Sequence, residues 1–91
     1  MLFLSLARVK AGTTQERIAR RMQWQYPPGM RVLGEYWPVG GEYSVVTIAE
    51  GDSIEALFAA TGAWDDLFDF TITPACTAEE GLRLFQKMMP G

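Results

Sequence analysis

Two β-prone segments joined by a tight turn lie at the centre of this 91-residue chain. Residues 30–38 and 42–50 contain valine, tyrosine and other strand-favouring residues, and residues 38–41 read Pro-Val-Gly-Gly. This pattern predicts a β-hairpin. Because an isolated hairpin is marginally stable at best in water, its edges and faces need partners from the rest of the chain. The hairpin therefore limits the possible folds more than any other feature.

The sequence before the hairpin predicts a strand followed by a helix. Residues 2–9 are apolar on both alternating faces for most of their length, which favours a strand that is covered on both sides. Thr13 and Glu16 have the spacing of a capping box, so a helix is expected to begin there. We expect this helix to run to about Tyr26, because the following Pro27 cannot continue it.

The first helix carries a basic cluster formed by three arginines. Its expected inner stripe consists of Ile18, Met22 and Gln25 or Tyr26 at helical spacing, and the arginines fall mostly away from that stripe. The cluster consists of Arg17, Arg20 and Arg21. We interpret it as a solvated helix face, with anion binding as the alternative.

The sequence after the hairpin contains the same two elements in the reverse order, a helix followed by a strand. Asp52 is the expected N-cap of a second helix, with Glu55 at the capping-box position and Gly62 at its end. A fourth strand is predicted over residues 68–76. The expected inner face of the second helix consists of Ile54, Leu57, Phe58 and Thr61.

A last helix follows the fourth strand. Thr77 and Glu80 again have capping-box spacing, and the helix is expected to reach about Met88. Its apolar stripe consists of Ala78, Leu82, Phe85 and Met89. Because Gly81 weakens the helix, its stability must come from packing.

The order of these elements predicts an α+β fold of the ferredoxin-like βαββαβ type, with an extra C-terminal helix and an antiparallel four-stranded sheet. We expect one domain over residues 1–91. Two helices can cover only one face of the sheet, yet the predicted strands are apolar on both faces. An uncovered apolar face of that size is unusual in a monomer, so the sequence predicts a homodimer whose sheets face each other.

Composition excludes several classes of function. The net charge of −3 argues against a nucleic-acid partner, and no segment has the length and apolarity of a membrane span. The chain contains no histidine, so a Ser-His-Asp triad and imidazole ligation of a metal are impossible. Cys76 is alone, which indicates a reducing compartment, and a cytoplasmic location is expected. We predict no metal and no cofactor.

Several short motifs together resemble the dimeric α/β-barrel superfamily. They are Met1-Leu2-Phe3, Gly34-Glu-Tyr36, Gly41-x-Tyr43, Ser53-Ile-Glu-Ala-Leu57 and Trp64-x-x-Leu67-x-Asp69-Phe70. Within it the chain is most similar to an uncharacterised family of short stand-alone domains, and more loosely to muconolactone isomerase. The resemblance implies a dimer with a pocket between the sheet and the surrounding helices and loops of each subunit. The superfamily includes isomerases, cofactor-free monooxygenases, haem-degrading enzymes, chlorite dismutases and regulatory domains, and the absent histidine argues against its haem branches.

The candidate ligand-binding residues are polar or aromatic positions of the predicted sheet. They are Arg31, Glu35, Trp37, Tyr43, Thr47 and Thr71. On a regular strand Arg31 and Glu35 share one face, so Arg31 is the candidate to hold an anionic group and Glu35 to act as acid or base, with Asp66 as a substitute. The alternative is an ion pair at the dimer interface or in solvent, and Trp37 and Tyr43 can equally be core or interface aromatics.

Two further groups have simpler interpretations. Asp65, Asp66 and Asp69 lack the spacing of a known calcium loop, so we interpret them as turn residues. We interpret Cys76 as a buried small hydrophobe, since the chain offers no histidine as its base. Gly34 within a strand predicts a bulge or a close approach by a bulky group.

Two functional hypotheses follow. The first is a homodimer that binds a small, partly apolar molecule and acts as a cofactor-independent isomerase or monooxygenase. The second is a non-enzymatic structural or regulatory dimer. The same strand order also builds RNA-recognition domains, but residues 40–45 lack their basic residue and second aromatic residue, and the acidic chain does not favour RNA.

Overall fold

The structure is a computed structural model that describes residues 1–90; Gly91, the last residue of the predicted domain, lies outside the described residues. The elements are β1 (Leu2–Val9), α1 (Thr14–Gln23), β2 (Met30–Tyr36), β3 (Val45–Gly51), α2 (Ile54–Gly62), β4 (Phe68–Ala75) and α3 (Ala78–Met88). The strands form one antiparallel sheet in the order β2-β3-β1-β4. The predicted ferredoxin-like α+β fold with an extra C-terminal helix is confirmed.

The pairing of the strands determines which residues share a face of the sheet. Ser5 of the central strand β1 lies opposite Thr47 on β3 and Ile72 on β4. The neighbouring positions Leu4 and Ile48 form a pair on the other face. The hairpin between β2 and β3 is confirmed, but its connection is longer than predicted, because β2 ends at residue 36 and β3 begins at residue 45.

Local hydrogen bonds set the helix starts, and two predicted boundaries are wrong. The capping box of Thr13 and Glu16 is present, and the Thr77 side chain accepts a hydrogen bond from the Glu80 amide. The N-cap of α2 is Ser53 rather than Asp52, and its side chain makes no capping hydrogen bond. α1 ends at Gln23, three residues before Tyr26. The backbone becomes extended at Trp24, and the indole ring of Trp24 packs edge-on against the ring of Trp64.

The buried core is small for a chain of this length. Its central cluster consists of Ala7, Trp64, Leu67 and Phe68. On α2 the buried residues are Ala56 and Leu57, so the predicted inner face is confirmed at Leu57 but wrong at Ile54 and Phe58, which are mostly exposed. Residues 54–60 are apolar except for Glu55, so the pattern of apolar residues did not specify one buried stripe.

A β-bulge in β2 changes the faces of that strand. Val32 pairs with Ala49, but the next pair joins Gly34 to Ile48, so Leu33 is the extra residue. The bulge predicted at Gly34 is confirmed. A Cβ atom on Gly34 would lie 2.7 Å from the Tyr36 ring, which also confirms the close approach of a bulky group.

The second face of the sheet and the last helix expose apolar residues. Leu2, Leu4, Leu6, Val46 and Ile48 share that face, and none of them is buried. No residue of α3 is buried, and its predicted stripe is exposed, with Leu82, Phe85 and Met89 between 64% and 67% accessible. Within residues 1–90, none of the helices combines the length and apolarity that crossing a membrane requires.

Candidate functional site

A cavity of about 280 Å³ lies between the sheet and the helices α1 and α2. Its floor is the sheet face that contains Phe3, Ala7 and Thr47, and residues of both helices line its other sides. The lining is mostly apolar. This volume is close to the lower end of the range for small-molecule pockets, roughly 300–1,000 Å³.

Aromatic rings form much of the cavity wall. All three tryptophans of the chain line it, together with Tyr26, Phe68 and Phe70. The Trp24 ring lies edge-on to both Tyr26 and Trp64, with ring centroids 5.8 Å apart in each pair. These edge-to-face contacts are the favoured geometry for aromatic pairs, so they hold the wall in a defined shape.

Glu35 is the acceptor of a hydrogen-bond cluster at this wall. The Arg21 guanidinium donates from Nε at 3.0 Å to Oε2 and from Nη2 at 3.1 Å to Oε1. The Tyr26 hydroxyl donates to Oε1, and the Trp37 indole donates to Oε2 at 2.8 Å. The Glu35 side chain is only 14% exposed, so these donors replace most of the water that an ionised carboxylate needs.

The cluster fixes the protonation states of its members. Burial alone raises the pKa of Glu35, but the hydrogen bonds from Arg21, Tyr26 and Trp37 outweigh it, so the pKa lies below its ordinary value. Burial, followed by the hydrogen bond to Glu35, raises the pKa of Tyr26 to about 12. At neutral pH the cluster therefore contains an ionised carboxylate and a neutral phenol.

Helix α1 presents a partly basic face to the cavity. Thr14, Arg17, Ile18 and Arg21 follow one another at spacings of three, one and three residues, and all four line the cavity. Arg17 and Arg21 therefore line the cavity while remaining partly exposed to solvent, so the interpretation as a solvated face describes them only in part. The predicted inner residue Met22 is 78% exposed, so it does not lie on the inner face of α1.

Arg20, the third arginine of the basic cluster, has a structural role. Its guanidinium donates to both carboxylate oxygens of Asp66, at 2.7 and 2.9 Å, and lies 5.4 Å from the centroid of the Trp64 ring. The hydrogen bond from Arg20 lowers the pKa of Asp66. These contacts connect α1 to the segment after α2, and they commit Asp66 to an ion pair.

The structure brings together half of the residues predicted from the sequence. Glu35, Trp37 and Thr47 line the cavity. The other three do not line it. Arg31 donates a hydrogen bond to Glu50 at 2.7 Å on the second face of the sheet, and Thr71 pairs with Leu6 on that same face. Tyr43 lies in the connection between β2 and β3, outside the cavity lining. The bulge separates Arg31 from Glu35, so the guanidinium beside Glu35 is that of Arg21.

Sequence reasoning missed Arg17, Arg21, Trp24 and Trp64 as lining residues, and it placed Tyr26 only as one alternative on the inner stripe of the first helix. The spacing of Thr14, Arg17, Ile18 and Arg21 was a usable signal, since it places a threonine and an isoleucine on the same side as two arginines.

Two other sequence interpretations can be compared with the structure. Within residues 1–90, no cluster of three or more aspartate, glutamate or cysteine side chains has a geometry that could hold a metal ion. Cys76 is exposed at the end of β4, so its interpretation as a buried residue is wrong.

Comparison with known proteins gives one result for this architecture. Residues 1–89 match a protein family described as a domain of unknown function, DUF3303. The chain belongs to this family. Neither the curated proteins nor the solved structures contain a match to this DUF3303 domain. The looser resemblance to muconolactone isomerase therefore stays an expectation from the sequence.

Proposed function

We propose that this DUF3303 domain is a homodimer whose subunits each bind a small, partly apolar molecule between the sheet and helices α1 and α2. The observation that carries the proposal is the cavity of about 280 Å³, with aromatic walls and a charged cluster at Glu35. Apolar walls with a few convergent polar groups are typical of small-molecule sites.

The proposed dimer rests on the uncovered apolar surface. The radius of gyration is 15.5 Å, whereas a compact chain of this length has roughly 12 Å. An isolated helix of 11 residues that contains glycine is marginal in water, and α3 has no buried residue in its own chain. A two-fold partner that covers the second sheet face and α3 supplies the missing packing for both.

The catalytic form of this proposal is a cofactor-independent isomerase or monooxygenase. Glu35 is the only carboxylate among the cavity-lining residues of the described chain, residues 1–90. Both of its oxygens already accept hydrogen bonds, and its lowered pKa makes it a weak base. The geometry therefore favours ligand binding over acid–base catalysis by Glu35. The alternative is a structural or regulatory dimer, and a cavity that accepts no small molecule favours it.

The test uses the indole N–H signals of the three cavity tryptophans. Small aromatic fragments are added to the isotope-labelled protein, and these NMR signals are followed while sedimentation velocity reports the assembly state. Ala60 lines the cavity and Ala59, its neighbour on α2, is exposed, so Ala60→Phe and Ala59→Phe form a matched pair. We expect fragments to shift the signals of the wild type and of Ala59→Phe, and to lose affinity for Ala60→Phe. A monomeric wild type overturns the dimer, and signals that no fragment shifts overturn the ligand site.

A further inference from the structure

Arg17 is a cavity-lining cation whose charge is not neutralised by the protein. Within residues 1–90, no carboxylate lies within ion-pair distance of its guanidinium. The adjacent Glu16 carboxylate instead accepts from the Thr13 amide at 3.4 Å, as part of the capping box. Arg17 differs in this respect from Arg20 and Arg21 on the same helix, which both form ion pairs.

The contacts of Arg17 leave part of its hydrogen-bonding capacity unused. Its Nη1 group donates to the carbonyl oxygens of Ala11 and Gly12 at 3.1 and 3.0 Å, and its Nη2 group donates to Thr14 Oγ1 at 3.1 Å. A guanidinium has five N–H donors. The Nε–H and one Nη2 hydrogen have no acceptor among the described residues. The bonded carbonyl groups hold the guanidinium in place without removing its charge.

Arg21, one helical turn later, adds a second donor on the same face. Its Nε and Nη2 groups bind Glu35, and its Nη1 group has no acceptor within residues 1–90. Like charges at this spacing on a helix repel each other, and the single carboxylate Glu35 compensates only one of them. Among the ionised side chains that line the cavity there are two arginines and one glutamate, which leaves an excess positive charge.

We infer that the ligand of this cavity is an organic anion with a flat apolar body and one carboxylate, and that the carboxylate binds to Arg17 with support from Arg21. The inference rests on the function proposed above. The aromatic wall favours a flat apolar body, and the planar donor edge of a guanidinium matches the two oxygens of a carboxylate. With a carboxylate ligand, the charges of Arg17, Arg21, Glu35 and the ligand sum to zero. With a neutral ligand, the positive charge of Arg17 has no negative charge to balance it.

The experiment compares carboxylates with uncharged amides of nearly the same shape. The probes are 2-naphthoate with 2-naphthamide and benzoate with benzamide, and their affinities for the full chain are measured by isothermal titration calorimetry. We expect each carboxylate to bind the wild type about tenfold or more tightly than its amide, as a charged hydrogen-bonded contact predicts. Arg17→Gln is expected to reduce this ratio to about one, without weakening the binding of the amide.

Two variants separate the charge of Arg17 from its role in holding residues 11–12. Arg17→Lys keeps the charge and is expected to retain a preference for the carboxylate. Arg83→Gln removes an arginine from α3 that pairs with Glu79 on the surface, so it is expected to leave the ratio unchanged. A loss of protein stability alone would weaken the binding of both the carboxylate and the amide, and would leave the ratio of their affinities unchanged.

The outcomes distinguish this inference from the proposed function. If amides and neutral fragments shift the tryptophan signals but carboxylates bind no better, the inference is wrong and the small-molecule site stands. The inference is also wrong if Arg17→Gln keeps the preference for the carboxylate. If neither class of compound shifts the tryptophan signals, the site itself is refuted.

Discussion

Replacing Arg21 by methionine tests whether the charged cluster at Glu35 stabilises the fold. Methionine keeps most of the apolar length of the arginine side chain, so the main loss is the guanidinium. Breaking a fully buried ion pair costs about 3–5 kcal/mol, whereas an exposed pair contributes about 0–1 kcal/mol. Glu35 is 14% exposed and would keep the hydrogen bonds from Tyr26 and Trp37. The Arg21 side chain is itself 38% exposed, so we expect Arg21→Met to lower the free energy of unfolding by about 1–2 kcal/mol at neutral pH.

The cost of Arg21→Met should depend on pH with a defined sign. In the wild type the folded-state pKa of Glu35 lies below its ordinary value, so the cluster contributes stability above the ordinary pKa and loses it as the pH falls through the folded-state pKa. Without Arg21, burial raises the pKa of Glu35, and protonation then relieves the unpaired charge. The difference in stability between the two proteins should therefore narrow from pH 7 to about pH 4.

The assay is urea unfolding followed by tryptophan fluorescence, at one protein concentration and at both pH values. Arg31→Met is the matched control, because Arg31 forms an exposed ion pair with Glu50 on the same strand as Glu35, and we expect a change of at most about 1 kcal/mol. The double variant Arg21→Met/Glu35→Gln should recover part of the loss, since it leaves no unpaired charge. The reasoning is refuted if Arg21→Met costs the same at both pH values, or if the double variant is less stable than Arg21→Met.

Three further predictions concern other parts of the molecule. Leu6→Glu places a charge on the second face of the sheet and should convert the proposed dimer to a monomer in sedimentation velocity; a dimer that persists would show that this face is not the interface. Spectrophotometric alkaline titration should show that one of the three tyrosines ionises near pH 12, and Tyr26→Phe should remove that step; a step that persists would assign it to another tyrosine. Gly12→Ala should lower the free energy of unfolding by about 1–2 kcal/mol or more, because Gly12 has φ +80° and its new Cβ would lie 2.7 Å from Leu67. Gly40→Ala, which meets no atom within 4 Å, should have little effect, and equal costs for the two alanine variants would contradict this account.

The sequence predicted the local structure of the chain well. The strand of residues 2–9 and the capping box at Thr13 depend on residues that are close in sequence, and Gly34 indicated a bulge but not its effect on the faces of β2. The order of these elements was sufficient to predict a ferredoxin-like fold, because few arrangements satisfy a central hairpin that is preceded by a strand and a helix and followed by a helix and a strand. Three of the predicted site residues line the cavity: Glu35, Trp37 and Thr47. Each of them lies on a strand of the sheet or directly after one.

The sequence by itself determined the elements, their order and an excess of apolar sheet surface, because caps, turns and alternation act over a few residues. Only the tertiary structure decided which faces meet. The bulge moved Arg31 away from Glu35, the aromatic packing of Trp24 and Trp64 ended α1 early, and the position of α1 over the sheet directed Arg17 and Arg21 into the cavity. Each of these outcomes depends on contacts between residues far apart in the chain, and a hydrophobic pattern does not encode such contacts locally.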